Sequence, residues 1–351
     1  MNSGQGNRLK VIDMLRGVAS FAVCFGHLTF AIFRPDSWFK LVGNYGYLGV
    51  EIFFVISGFI IPYALWRSSY RLCNYGTFVL KRVVRLDPPY LAVVAFLIPL
   101  GYFSAHAPGY NGPPFHVTIS QVLLHLAYLN VFFGNNWLSG VFWTLAIEFQ
   151  YYLFVGLLFP VISARNPRLR VPLFIFLSVL VVAIPVQTFI FHWLFMFMLG
   201  MLIFQWHAGL INKLGTFFTL LGLLGAGAWF TLTPVMAIVG IVTALTIAFV
   251  RFTNMPLNFL GKISYSLYLV HEPIGRRVVN LGARLTSDPG GRILILLVGL
   301  GSAIGAAWLL YWFVERPAQR WSSSIAYGKT REKVSQLMPK AENEAVRASA
   351  S

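Results

Sequence analysis

The sequence predicts an all-α, polytopic membrane helix bundle: about ten transmembrane helices plus a short re-entrant or interfacial helix near 119–133. Three observations predict it. The 351 residues are 57% hydrophobic and only 11% charged, whereas a soluble domain carries roughly a quarter charged residues and just under half apolar ones. The apolar residues gather in runs close to the ~20 residues that one helix needs to cross a bilayer. The basic residues gather in alternate loops between those runs. With 11 acidic residues in 351, the chain could not cover the surface of a soluble enzyme, and its apolar content excludes disorder.

The runs fall at about 11–33, 46–66, 88–105, 141–163, 171–191, 193–209, 214–231, 234–252, 257–275 and 292–314. Several contain Pro or Gly, which membrane helices tolerate because neighbours re-satisfy the freed backbone groups. The first run follows Arg8 and Lys10, yet it holds Asp13 and Arg16 and lacks a small-residue cleavage site, so a retained span is expected rather than a signal peptide. In KRVVRLDPPY, residues 81–90, Pro88 and Pro89 are expected to break the turn before the third span. ISQVLLHLAYLNVFF, residues 119–133, is too short and polar to span. In the loop 106–140, Asn111, Asn135 and Asn136 could hydrogen-bond sugar hydroxyls, but turns are the favoured reading. Residues 1–321 are expected to form one membrane domain and 322–351 a flexible cytoplasmic tail. Cys24 lies in an apolar run and Cys73 in a basic loop, which implies no disulfide framework. No internal repeat is evident, which weakens transporter folds built from inverted halves.

Ten spans put both termini on one side. Nineteen of the 27 Lys and Arg residues then fall on that side, six on the other, and two, Arg16 and Lys262, inside spans. The richer side is expected to be cytoplasmic. The net charge of +16 therefore needs no nucleic acid as its explanation.

Charged groups inside a span cost at least ~2.5 kcal/mol each and are functional by default. Asp13, Arg16 and His27 lie in span one, Glu51 in span two, Glu148 in span four, and Lys262, His271 and Glu272 in span nine. They could also pair simply to pin helices together. Arg16 and His27 are eleven residues apart, which returns to within ~20° of the same helix face ~16 Å deeper. Asp13, one turn before Arg16, is placed to pair with it. A neutral imidazole is cheap to bury and takes a proton near neutral pH. Arg82 and Arg85, with Lys81 adjacent, share a helical face, and arginine forks suit phosphates; they also suit a simple anchor on the basic side. Ser264, Tyr268 and His271 form one stripe at i, i+4, i+7, and Glu148 shares a face with Tyr152 while Trp143 lies nearer the helix end.

With these residues in hand, the chain resembles acyltransferase family three, the multispan membrane O-acyltransferases of bacterial polysaccharides and related substrates. The resemblance covers residues 9 to about 320 and rests on six segments in order: LKVIDMLRGVASFAVCFGHL, with Arg16 and His27; YLGVEIFFVISGFII, with the Ser57 turn; KRVVRLDPPY; WTLAIEFQYYL; ISYSLYLVHEP; and VERPAQRW. Glu51 stands where Asp is commoner. The resemblance implies transfer of an acyl group, most often acetyl, from cytosolic acyl-CoA to a sugar hydroxyl of an exopolysaccharide, lipopolysaccharide or lipid-linked glycan. It implies that Arg16 and His27 are needed for activity and that Arg82 and Arg85, with Lys81, meet the coenzyme A phosphates. Asp13 would orient Arg16. Glu148 and His271 would orient the acceptor or His27, and Glu51, Ser57, Trp143 and Tyr268 would support the site. His27 would act as general base or carry the acyl group itself. No metal is expected. The expected location is the bacterial inner membrane, with a glycan acceptor, membrane lipids and polysaccharide-assembly proteins as partners. No esterase-like domain is expected beyond the membrane part, which leaves acceptor handling to the membrane domain or a partner. The competing reading is a proton-coupled exporter of a glycoconjugate or small acid, since acidic and His residues in spans also build proton relays.

Overall fold

The structure, a computed structural model, describes residues 3–107 and 114–327, and every regular element among them is helical. The expected tail beyond 327 and Asn111 lie outside the described residues. In chain order the bundle opens with α1 (Ser3–Ile32), a short α2 (Trp38–Gly43), α3 (Leu48–Arg67) and α4 (Tyr75–Ala105). Residues 119–133 form a two-turn α5 (Ile119–His125) and a 3₁₀ turn, too short to span. Then follow α6 (Phe142–Ile162), α7 (Pro167–Ala183), α8 (Ile190–His207), α9 (Leu214–Thr231) and α10 (Pro234–Phe249). The chain closes with α11 (Met255–Lys262), α12 (Ser264–Val270), α13 (Arg277–Gly282), α14 (Pro289–Leu310) and α15 (Arg316–Ser324).

Helix starts are written in the sequence. Asn166, Thr233 and Asp288 cap the backbone N–H groups of Arg168, Met236 and Gly291, and Pro follows each cap at the first helical position. There its missing N–H costs nothing and its φ suits the helix. The middle of the bundle is α8, whose side chains from Trp193 to Gln205 are all buried, packed against α3, α7, α9 and α10. On the outside, Ile175, Phe176, Val179 and Val182 of α7 and Leu294, Leu297 and Val298 of α14 are exposed. Rows of exposed apolar groups fit a lipid surround and no aqueous one.

Seven helices among the described residues are long and apolar enough to cross a membrane. The expected ten differ from this for physical reasons. Helices α7 and α10 have 17 and 16 residues, short of the usual ~20. The expected ninth span is no single helix: it breaks at Ile263, resumes as α12, and widens into a π-helical turn at His271–Arg276 around Pro273. A second correction concerns Pro88 and Pro89. They do not break the chain, because α4 runs through them without interruption. The two prolines leave the Val84 and Arg85 carbonyls without their intrahelical donors, and the Tyr265 hydroxyl reaches across to the neighbouring Leu86 carbonyl at 2.8 Å.

Close helix contacts depend on glycine. A Cβ on Gly261 would overlap the Asp13 carbonyl, and one on Gly17 would overlap the Leu257 carbonyl, so α1 and α11 meet backbone to backbone. Gly58 and Gly200 do the same for α3 and α8. Gly261→Leu is expected to push α1 from α11 and to destabilise the bundle by about 1–3 kcal/mol, the usual cost of overpacking. A lowered thermal unfolding midpoint of the detergent-solubilised variant would show it; an unchanged midpoint would mean the crossing is loosely packed.

Candidate active site

Helix α1 is stitched to the α12 segment at two levels. Near the start, Arg16 Nε donates to Ser264 Oγ at 3.0 Å. Eleven residues deeper, His27 Nδ1 meets His271 Nε2 at 2.8 Å, with the rings nearly parallel and their centroids 5.0 Å apart. The stripe Ser264, Tyr268, His271 thus faces α1, and Tyr268 turns to Thr144 of α6, Oη to Oγ1 at 2.6 Å.

The hydrogen bonds select the histidine tautomers. His271 is fully buried, and its Nδ1 lies 3.1 Å from the Leu267 carbonyl. A carbonyl only accepts, so His271 carries its proton on Nδ1 and its Nε2 accepts. His27 must then donate from Nδ1, which leaves Nε2 of the half-buried His27 with an open lone pair. The π-helical turn begins at His271; such widened turns recur at functional positions.

Between this pair and one end of the bundle lies a cavity of about 1020 Å³, its mouth included. Phe53, Phe54 and Ile60 give it apolar walls, and Arg16, Arg82 and Arg85 face into it. Its two carboxylates are engaged elsewhere. Glu148 accepts from Ser57 Oγ at 2.7 Å and Tyr152 Oη at 2.6 Å. Glu315 accepts from Ser266 Oγ at 2.6 Å, from its N–H at 3.2 Å, and from Gln319 at 2.8 Å. Among the described residues, no carboxylate lies within 4.0 Å of the Arg16, Arg82 or Arg85 guanidinium. The Arg82 guanidinium lies 5.4 Å from the ring centres of both Phe78 and Tyr152, a cation–π arrangement that keeps its donors available. Three guanidiniums around one apolar-walled space form a receptacle for a polyanion.

Other expected site residues lie differently. Asp13 forms no ion pair with Arg16; Ser264 holds that arginine instead. Lys81 is turned from the cavity: its ammonium donates to the Ser322 and Ile325 carbonyls at the end of α15. There it helps line a rim depression that Arg82 and Arg85 also border. Glu51 is buried outside the cavity, and its Oε2 finds no partner among the described residues. Trp143 packs against Trp193, ring centres 5.3 Å apart and planes tilted by 37°, and lines a separate depression on the other side of α6. Asn135 makes a turn, its amide donating to the Phe133 carbonyl. Glu315 and Tyr265 line the cavity and were not singled out from the sequence. The signal for Glu315 was present, a lone acid at the end of an apolar run.

A family model described as an acyltransferase domain matches residues 9–312. Over 304 residues the chain is 28% identical to the exopolysaccharide production protein ExoZ of Rhizobium meliloti, covering 78% of this chain and 90% of that one. It is 34% identical over 164 residues to a protein of Acidianus two-tailed virus named as a candidate acetyltransferase, covering 46% of this chain and 44% of the viral one. It is 30% identical over 192 residues to the peptidoglycan O-acetyltransferase OatA of Listeria monocytogenes, covering 48% of this chain and 27% of that one. The match thus spans less than half of the viral and Listeria proteins. No solved structure matches the chain.

Proposed function

Because this chain belongs to the acyltransferase family matched over residues 9–312, we propose that it transfers an acyl group, acetyl in the first instance, from cytosolic acyl-CoA to a sugar hydroxyl of an exopolysaccharide, lipopolysaccharide or lipid-linked glycan. The setting is the bacterial inner membrane, with both termini cytoplasmic. The observation that carries the reading is a cavity faced by three guanidiniums with no carboxylate within 4.0 Å among the described residues, with the His27–His271 pair lying just behind its Tyr268 wall. The names of ExoZ and OatA, which refer to exopolysaccharide and peptidoglycan, support a glycan acceptor.

Arg82 and Arg85 stand between the rim depression and the cavity, where they receive the donor's phosphates. The uncharged pantetheine arm follows the apolar walls past Glu148, Ser57 and Tyr268 toward the histidines. His27 Nε2 takes the proton of the acceptor hydroxyl as its oxygen attacks the thioester carbonyl. The C–S bond breaks, and the departing sulfur receives that proton. His271 is a positioning residue: it holds His27 in the tautomer with Nε2 open. The same lone pair would serve an acyl-histidine relay, in which Nε2 attacks the thioester first.

The test is purified protein in nanodiscs with radiolabelled acetyl-CoA, alongside mass spectrometry of surface glycans from deletion and complemented cells. Acetyl-CoA turnover and glycans lacking one acetyl mass in the deletion strain are expected. Absence of turnover together with proton-coupled glycan flux would sink the reading in favour of a transporter. Acid-quenched protein carrying label would identify the relay.

A further inference from the structure

A second cavity opens at the opposite end of the bundle. Helix α4 fixes the separation: Arg82 and Arg85 face the first cavity, whereas Gly101 and Ser104 line the second, about 24–33 Å further along the helix. The second cavity holds about 1480 Å³, its open mouth included. Its wall is the segment that follows His271, from Glu272 through Arg284. The histidine pair lines neither cavity, but neighbours of His271 line both: Tyr268, its ring centre 5.8 Å from that of His271, borders the first, and Glu272, the next residue in the chain, borders the second.

Three guanidiniums, Arg276, Arg277 and Arg284, line this second cavity. They are half of the six basic residues that the loop pattern assigns to the basic-poor side of the membrane. The positive-inside tendency disfavours such a cluster there, so anchoring does not account for it. Glu272 is the one acidic residue among the described lining residues, and its oxygens are spent. It accepts from Ser139 Oγ at 2.6 Å, from the Gly140 N–H at 3.0 Å and from Arg276 at 2.9 Å. Arg277 donates to the neutral Pro273 carbonyl, and Arg284 is exposed with no ion pair among the described residues. The described lining residues thus carry three guanidiniums and one carboxylate, in the wall that continues the chain from His271.

We propose that this cavity is the acceptor site and that it takes a sugar carrying anionic oxygens, which the Arg276, Arg277 and Arg284 guanidiniums bind while an adjacent hydroxyl reaches His27. This rests on the acyl-transfer reading and adds the chemical class of the acceptor. The anion is either the diphosphate of a lipid-linked sugar or the carboxylate of an acidic sugar; both suit guanidinium forks.

Wild-type protein in nanodiscs is labelled with phenylglyoxal, which modifies arginine, and each site is quantified by peptide mass spectrometry. The probes are an isoprenyl-diphosphate-linked N-acetylglucosamine, a glucuronate-containing disaccharide, neutral cellobiose and acetyl-CoA. An anionic probe at ten times its Kd leaves about a tenth of sites open, so labelling of Arg276 and Arg284 falls about tenfold, while cellobiose leaves it unchanged. Protection by the diphosphate probe alone assigns the lipid-linked source, and protection by the glucuronate alone assigns the acidic sugar. Equal protection by cellobiose, protection of these arginines by acetyl-CoA, or protection by neither anionic probe overturns the proposal. The donor reading is scored separately by protection of Arg82 and Arg85 by acetyl-CoA. Should that fail while the anionic probe still protects Arg284, the anion site stands and the acyl-transfer reading falls. Arg284→Gln, exposed and outside the Glu272 ion pair, is expected to weaken binding of the protecting probe about tenfold.

Discussion

Replacing His27 with glutamine is expected to lower kcat for acyl transfer by about 10²- to 10⁴-fold, the range lost with a positioned general base. Glutamine keeps a donor for His271 Nε2 and approximates the imidazole volume, so the loss would report the missing proton acceptor rather than a collapsed helix contact. The companion variant His271→Leu separates chemistry from positioning. It removes the acceptor that holds His27 by its Nδ1, so kcat should drop while the KM for acyl-CoA holds, because the proposed phosphate contacts, Arg82 and Arg85, are not part of the histidine pair. A shifted pH–rate profile should accompany the drop, since a His27 ring free to change tautomer no longer presents the same nitrogen. Steady-state kinetics with purified variants decides it. Transfer at the wild-type rate by His27→Gln would remove His27 from the chemistry.

The double variant Arg82→Ala, Arg85→Ala is expected to raise the KM for acyl-CoA by about 100-fold or more, since hydrogen bonds to charged groups contribute about 1.5–3 kcal/mol each and 1.4 kcal/mol is tenfold. At saturating donor, kcat should recover much of its wild-type value, because neither arginine is placed near the thioester. Added salt should raise the wild-type KM and leave that of the double variant nearly flat. Lys81→Ala offers the contrast. Its ammonium fastens the end of α15, so the expected result is a lower unfolding temperature with little change in KM. A double variant with wild-type KM would reduce the two arginines to topology anchors.

Much of this arrangement was legible in the sequence because it depends on local periodicity. The apolar runs gave helices, and the eleven-residue spacing put Arg16 and His27 where both reach the Ser264–His271 stripe. What stayed hidden depends on partners remote in sequence. Arg16 takes Ser264 rather than Asp13, 248 positions away. Lys81 looks like a phosphate ligand until Ser322, 241 positions away, supplies its carbonyl. Pro88 and Pro89 read as a break, yet α4 runs through them, and Tyr265, remote in sequence, donates to the neighbouring Leu86 carbonyl. The tautomer of His27 follows from a carbonyl on another helix, which no spacing rule encodes.

The placement of the histidine pair between two oppositely facing cavities has an electrical consequence. In the proposed reaction the phosphates of the donor never leave their end of the bundle. An acyl group passes one way, and the proton of the acceptor hydroxyl returns the other way to the sulfur. That is an exchange of one acyl cation equivalent for one proton, with no net charge displaced. A membrane potential does work of about 2.3 kcal/mol per elementary charge per 100 mV, and here it has no charge on which to act. Acyl export through this fold would proceed at the same driving force in energised and depolarised cells, set by the difference between the thioester consumed and the ester formed.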